Sequence, residues 1–191
     1  MAIQYEYAKF IRVKRNQSNK GFRATLLLPD STSMTNSANY INFYCGLGGF
    51  ECGISKRYPN TKWHWFANYN GEQKGLGPYG LNNGDTVTLK LYVNDDYTTG
   101  NSGKVTFIVN DSVVYTTSND YNSFDNSRFV LAAGQNQYET LPTPLPAWKV
   151  FHTKAIVYDM KFKNNDKIWI SVSNSNVTKE IFHKPDGVTP P

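Results

Sequence analysis

Apolar and polar residues alternate with a period of two over much of this chain, most clearly at residues 40–70. Because successive side chains of a β-strand point to opposite faces, this pattern predicts strands rather than helices. The pair Gly48-Gly49 predicts a two-residue hairpin turn, since glycine readily adopts the positive φ values that such turns require. A second turn predicted at residues 58–61 completes three consecutive antiparallel strands.

The register set by these two turns places Cys45 opposite Cys52 and divides the three strands into two faces. The first face is apolar and is predicted to form a core: Phe43, Cys45, Leu47, Phe50, Cys52, Ile54, Trp63, Trp65, Ala67 and Tyr69. The second face combines aromatic, amide, hydroxyl, carboxylate and imidazole groups: Asn42, Ser55, His64, Tyr44, Gly53, Phe66, Gly46, Glu51 and Asn68. Aromatic rings stack on the C–H faces of sugars, and short polar groups bond sugar hydroxyls. The second face is therefore predicted to bind carbohydrate.

The rest of the chain continues the all-β pattern. Further strands are predicted at residues 3–14, 22–28, 85–94, 104–117, 128–133, 150–162, 168–173 and 179–182. Residues 70–84 contain five glycines and are expected to form a long irregular loop, and residues 185–191 a flexible tail. No apolar pattern of helical period extends beyond about two turns. About twelve strands without a repeat period predict a single two-sheet antiparallel jelly roll or β-sandwich over residues 1–184.

Composition and charge narrow the classes of partner. Charged residues make up 18% and aromatic residues 15% of the chain, which is typical of extracellular or surface-exposed β proteins. The net charge of +5 favours acidic polysaccharide, cell wall or anionic membrane as partners, but the basic residues are dispersed, which argues against nucleic acid. The sequence shows neither a signal peptide nor a transmembrane segment. An extracellular location is favoured even so, and the oligomeric state is left open.

The two cysteines and one acidic loop raise separate questions. Cys45 and Cys52 allow either a cross-strand disulfide or two buried thiols, and the thiols are favoured because so short a closed loop adds little stability. The three histidines are scattered, so no zinc site is predicted. Residues 94–96, Asn-Asp-Asp, offer oxygen ligands for Ca²⁺, but these residue types also form ordinary turns, which are favoured here. No cofactor is predicted.

Three successive segments, GDTVTLKLYV, KVTFIVNDSVVYTT and RFVLAAGQ, predict a strand, a hairpin and a buried strand. This succession, over residues 85–134, resembles the concanavalin A-like lectin and glucanase superfamily. The resemblance implies two curved antiparallel sheets with a ligand on the concave face or on the loops at its rim.

Some members of that superfamily are enzymes, whose signatures are absent here. The glucanase motif Glu-x-Asp-x-x-Glu is missing because Glu51 stands alone on its strand, and residues 129–137 lack the lysine and tyrosine of the similar alginate-lyase strand. Glycoside hydrolysis usually needs two carboxyl groups. A non-catalytic, lectin-like module is therefore the leading hypothesis. One alternative is an enzyme of the same fold: a lyase with His64 as base and Tyr44 or Tyr92 as its tyrosine, or a hydrolase with Glu72 or Asp159 as a second carboxylate beside Glu51. The other alternative is a structural, toxin or adhesin protein.

The predicted ligand-binding residues are Tyr44, Glu51, His64, Phe66 and Asn68, extended by Lys90 and Tyr92 if the strand at residues 85–94 runs alongside. Structural roles compete with this prediction. His64 could be a strand residue hydrogen-bonded to its neighbour, and Glu51 a solvated surface acid. Tyr44 and Phe66 could fill the space over a glycine, or lie beneath the 70–84 loop as a second small core.

Overall fold

The computed structural model describes residues 5–95, 102–138 and 147–184, in which every regular element is a β-strand. The strands are β1 (Tyr5–Arg15), β2 (Gly21–Leu27), β3 (Thr32–Ser33), β4 (Tyr40–Leu47), β5 (Phe50–Arg57), β6 (Trp63–Tyr69), β7 (Glu72–Leu81), β8 (Thr86–Val93), β9 (Gly103–Val109), β10 (Ser112–Tyr121), β11 (Ser127–Tyr138), β12 (Phe151–His152), β13 (Ile156–Lys163), β14 (Trp169–Ser171) and β15 (Thr178–Lys184). The strands beyond the predicted twelve are β7 and the two-residue strands β3 and β12. The predicted tail, residues 185–191, lies outside the described residues.

The strands form two large antiparallel sheets. The seven-stranded sheet has the order β15-β1-β11-β4-β5-β6-β7, and the six-stranded sheet has the order β10-β9-β8-β2-β13-β14. The core lies between them and includes Phe22, Leu26, Leu89, Leu91 and Phe107 from the six-stranded sheet and Phe43, Leu47, Phe50, Ile54 and Trp63 from the seven-stranded sheet. The predicted all-β, two-sheet architecture is confirmed.

The register predicted for β4, β5 and β6 is also confirmed. Cys45 pairs with Cys52, and Cys52 pairs with Ala67 on the next strand. Both cysteines are free thiols buried in the core. Burial raises the pKa of both thiols well above the usual value. Of the two arrangements that the sequence allowed, the structure has the thiols.

The prediction of a loop at residues 70–84 is wrong, because β7 occupies most of this segment and pairs with β6 at the sheet edge. Asn70 and Gly71 have φ values of 49° and 80°, so they form the two-residue turn that joins the two strands. Gly77 lies directly against the Trp65 ring, where a larger residue would collide with it. The pairing contains three irregularities but continues along the strand. Gly75 and Gly77 thus make room for the Trp65 ring, and bulges accommodate the irregular pairing of β7.

Candidate functional site

The outer face of the seven-stranded sheet, which points away from the sandwich core, carries the polar residues predicted from the register. Cross-strand partners form three rows across β4 to β7: Tyr44, Gly53, Phe66 and Leu76; Asn42, Ser55 and His64; and Gly46, Glu51, Asn68 and Gln73. Five of the predicted ligand-binding residues, Tyr44, Glu51, His64, Phe66 and Asn68, therefore share one surface. Gln73 and Leu76 were missed because their segment was predicted to be a loop.

A cavity of about 210 Å³ lies on this face. It is lined by Asn42, Ser55, Arg57, His64, Phe66, Asn68, Gly71, Gln73 and Leu76. Within the part of the chain that the structure describes, Asn42 Oδ1 and Ser55 Oγ are buried and have no hydrogen-bond partner. Buried polar atoms are almost always bonded to protein, water or a ligand. Both residues line the cavity, so two oxygen atoms with unused hydrogen-bonding capacity lie beside it.

An aromatic pair lies beside the cavity. The rings of Tyr44 and Phe66 meet edge to face with centroids 6.1 Å apart. They flank Gly53, where an added Cβ atom would lie 2.5 Å from the Tyr44 Cβ atom, so the close approach requires glycine. Tyr44 is half-buried and Phe66 is 8% exposed, so Tyr44 is the more accessible of the two residues. The alternative that residues 70–84 cover this pair is wrong, because β7 extends the sheet instead of folding over it.

His64 is less accessible than the sequence suggested. It pairs with Ser55 across β5 and β6, and its side chain is buried. Burial, together with the positive charge of Arg57, lowers the pKa of His64 to about 4. The imidazole is therefore neutral near pH 7, where it offers one hydrogen-bond donor and one acceptor.

Glu51 is paired with an arginine from a distant part of the chain. Arg128 Nη2 lies 3.1 Å from Glu51 Oε1, and its Nη1 donates a hydrogen bond to the carbonyl of Gly48 at 3.2 Å. The Arg128 side chain lies on Gly46, its cross-strand partner. This ion pair was not predictable from local sequence, because it depends on the pairing of β11 with β4, which are far apart in the chain.

Beyond β4, the outer face continues onto β11, β1 and β15. Val130, Ala132, Ala8, Phe10 and Phe182 form a small second apolar cluster there, against which Tyr40 and Tyr44 pack. Next to this cluster, Glu180 forms ion pairs with Arg12 and Lys14. These charged groups neutralise one another in part. At this end of the face, the apolar side chains are therefore packed together and the charged side chains are ion-paired.

Lys90 and Tyr92 do not join this face, contrary to the assumption that their strand runs alongside. β8 lies in the six-stranded sheet between β9 and β2. Val87, Leu89 and Leu91 face the core, so the alternating side chains of Lys90 and Tyr92 lie on the outer side of that sheet. The two residues are thus on the opposite side of the sandwich from Tyr44 and Phe66.

The loop at residues 94–96 was considered for Ca²⁺ but favoured as an ordinary turn. The Asp95 carboxylate forms an ion pair with Lys163, while Asp96 lies outside the described residues. No group of three metal-ligating side chains occurs in the described ranges. The described residues also contain no helix of the length and apolarity needed to cross a membrane.

No protein-family model and no curated protein sequence matches this chain. Among solved structures, Scytalido-glutamic peptidase with a peptide-based transition state analog is 14% identical, with 94% of this chain and 90% of that chain covered and a TM-score of 0.57. The eqolisin-family peptidase SCP-B, in complex with the tripeptide Ala-Ile-His, is 13% identical over 94% and 90% of the two chains, with a TM-score of 0.50. The carbohydrate-binding module CBM66 from Bacillus subtilis is 10% identical over 70% and 83%, with a TM-score of 0.37. The TM-scores of the two peptidases show that this chain shares their fold.

Proposed function

We propose that the outer face of the seven-stranded sheet binds a glycan or polysaccharide as a non-catalytic, lectin-like site. The observation that carries this proposal is the pair of buried, unbonded oxygen atoms, Asn42 Oδ1 and Ser55 Oγ, in the 210 Å³ cavity. Sugar hydroxyls both donate and accept hydrogen bonds, so they suit an amide oxygen that accepts and a serine hydroxyl that does either. Tyr44, half-buried and in ring contact with the cavity residue Phe66, supplies an aromatic group for a sugar ring.

The cavity lining adds neutral and charged partners for such a ligand. Asn68 and Gln73 place amide groups at the exposed side of the cavity, and His64 is neutral near pH 7. Arg57 also lines the cavity, and its guanidinium is suited to the carboxylate of an acidic sugar. An oligosaccharide with free hydroxyls, with or without a carboxylate, therefore fits the chemistry of the lining.

Hydrolase or lyase chemistry has weaker support. Glu51, the carboxylate in the three rows of the outer face, is ion-paired with Arg128. The lowered pKa of His64 makes its imidazole a weak base at neutral pH, whereas an efficient general base has a pKa near the working pH. Binding without catalysis thus agrees better with both residues.

A peptide is the second candidate ligand for this face. The two peptidases with TM-scores of 0.50 and 0.57 hold a tripeptide and a peptide-based analog. On this chain, Glu51, Asn68 and Gln73 form a cross-strand row of one carboxylate and two amides, which are groups that form hydrogen bonds with peptide backbones.

Incubation of the protein with denatured casein, followed by mass spectrometry, tests whether a bound peptide is cleaved. Release of fragments that Glu51→Gln abolishes would favour the peptide over the glycan.

The glycan proposal is tested with a glycan array and then by calorimetric titration of the best ligand with the full chain. Ser55→Ala removes a hydroxyl that has no partner in the described residues, so the variant should fold with unchanged stability. Its affinity should fall about three- to tenfold, as expected for the loss of one hydrogen bond. Ser127→Ala is the matched control, because Ser127 Oγ is also buried and unbonded in the described residues but lies outside the cavity.

Further outcomes separate the site from general effects on the fold. Phe66→Ala should weaken binding, and its thermal midpoint is measured alongside because Phe66 is buried and also packs in the sheet. The proposal fails if no glycan binds, or if Ser55→Ala and Ser127→Ala change affinity equally.

A further inference from the structure

The outer side of the six-stranded sheet, opposite the proposed glycan site, carries a second cluster of basic and aromatic side chains. It consists of Arg23, Lys90, Tyr92, Lys161 and Trp169, here named the basic-aromatic patch. Four strands supply these residues: β2, β8, β13 and β14. Their side chains are half-buried, so the patch is ordered by the sheet and still reachable from solvent.

Three of these residues form a row of like charges. Lys90 pairs directly with Arg23, and Arg23 pairs directly with Lys161 on the next strand. Like charges in directly opposed positions destabilise a sheet. The Asp159 carboxylate relieves part of this repulsion, since it lies 2.6 Å from Arg23 Nη2 and 3.3 Å from Lys161 Nζ. The row nevertheless keeps three cations against one carboxylate.

Lys90 is the cation of this row that Asp159 does not reach. In the described residues no carboxylate forms an ion pair with it. Its ammonium lies instead over the rings of Tyr92 and Trp169, 4.4 and 5.5 Å from their centroids. Burial lowers the pKa of Lys90, and the charges of Lys163 and Arg23 lower it further, against weaker opposing effects of Asp111 and Asp95. An anion bound here would relieve the excess positive charge.

The geometry favours a saccharide over nucleic acid. A protein that binds DNA through about six to ten phosphate contacts uses more cations than this row of three supplies. Two aliphatic residues, Ile108 and the exposed Val113, continue the row beyond Lys90 on the same surface. An anionic membrane is therefore the competing partner, and phosphatidylserine vesicles are titrated alongside the polysaccharides. The Trp169 ring, with Arg23 and Lys90 within 6.0 Å of its centroid, combines a stacking surface with anion-binding groups.

We propose that the basic-aromatic patch is a second ligand site, which binds an acidic polysaccharide. Lys90 and Arg23 bind its carboxylate or sulfate groups, and Trp169 contacts a sugar ring. The test titrates the full chain with polygalacturonate, dextran sulfate and neutral dextran, so that carboxylate and sulfate are compared directly. One or both polyanions should bind, and neutral dextran should not.

Lys90→Met keeps the length of the side chain and removes its charge. It should weaken polyanion binding at least about fivefold, as expected for a hydrogen-bonded charge, while leaving the thermal midpoint unchanged or higher because the row loses a repulsion. Lys62→Met is the matched control, since it removes one charge from an exposed lysine in the turn between β5 and β6. The control should change affinity less than about twofold.

Equal effects of Lys90→Met and Lys62→Met would overturn the proposal in favour of attraction by net charge alone. Absence of polyanion binding, or preferential binding to phosphatidylserine vesicles, would overturn it as well. Ser55→Ala, on the opposite sheet, should leave polyanion affinity unchanged. If Ser55→Ala abolishes polyanion binding and Lys90→Met does not, the acidic ligand belongs to the first site and the patch carries none.

Discussion

His64 is the residue of the outer face whose protonation depends most on its surroundings. Its pKa is lowered to about 4 by burial and by Arg57, from the usual 6.5. The unfolded chain therefore takes up a proton near pH 6.5, whereas the folded chain does so only near pH 4. The stability contributed by the neutral imidazole is present above pH 6.5 and is lost as the pH falls toward 4. The free energy of unfolding should fall by up to about 1.4 kcal/mol per pH unit in this window.

This dependence is tested by urea unfolding at several pH values between about 7.5 and 4.5. His64→Gln should flatten the decline, because glutamine does not titrate. His152→Gln, which replaces an exposed histidine, should leave it intact. Identical pH dependence of the parent chain and His64→Gln would show that His64 takes up its proton at an ordinary pKa.

Close packing around Gly53 leads us to expect a loss of stability when this glycine is replaced. A Cβ atom at this position would collide with backbone atoms of Phe43 and Tyr44, which cannot move without disturbing the β4–β5 ladder. Gly53→Ala should therefore lower the free energy of unfolding by about 1–3 kcal/mol. Gly80→Ala is the matched control, because nothing lies within 4 Å of the added atom, and it should be close to neutral. Chemical denaturation of both variants measures the difference, and equal stabilities would contradict the close packing at Gly53.

Single residues were predictable from sequence where local turns determine their neighbours. The two turns around β5 suffice to place Tyr44, Glu51 and Phe66 on one face, and the structure confirms that placement. The partner of Glu51 was not predictable in this way, because Arg128 arrives from a strand 77 residues away in the sequence. Burial of His64 likewise depends on neighbours in three dimensions.

At the scale of elements, the β6–β7 hairpin depends on the positive φ of Gly71, which is 80°. Alanine is strained in this left-handed conformation by roughly 1–2 kcal/mol, whereas asparagine tolerates it better. Gly71→Ala should therefore destabilise the chain more than Gly71→Asn. Calorimetric unfolding measures the stability of both variants, and equal behaviour would argue against a strained turn.

The hairpin also shows why an element was missed. Asn-Gly is a strong hairpin signal, but the glycines that follow it favoured a loop, and their packing role against Trp65 is not visible in the sequence. β8 shows a different limit: its alternation predicted the strand correctly but did not predict its position in the fold. Alternation indicates which residues share a side of a strand, but not the sheet to which the strand belongs. Lys90 and Tyr92 were therefore assigned to the wrong sheet.

At the scale of the whole molecule, alternation and the lack of helical periodicity were sufficient to predict a two-sheet antiparallel sandwich. The order of strands within each sheet was not predictable, since β1 pairs with β11 and β15 across most of the chain length. Such pairings arise from the fit of whole apolar faces and not from any local signal. The second, basic-aromatic patch depends on the same long-range order, because four separate strands supply it.

The two thiols in the core report on this whole-molecule packing. Cys45 and Cys52 are free and fully buried between the sheets, and burial raises the pKa of each thiol, which disfavours the reactive thiolate. A thiol reagent such as Ellman's reagent should therefore react with the native chain only through global opening, and its labelling rate should rise with urea in parallel with unfolding. In denaturant both thiols should react at once.

Fast labelling of the native chain would mean that the sheets separate locally near β4 and β5. No reactive thiol in denaturant would mean a bridged pair. Ser55→Ala serves as the control, because it lies on β5 but on the outer face, and it should leave the labelling rate unchanged. Because the outer face and the core share β4 and β5, slow labelling together with lost glycan affinity in that variant would show that the proposed site is altered while the sandwich stays closed.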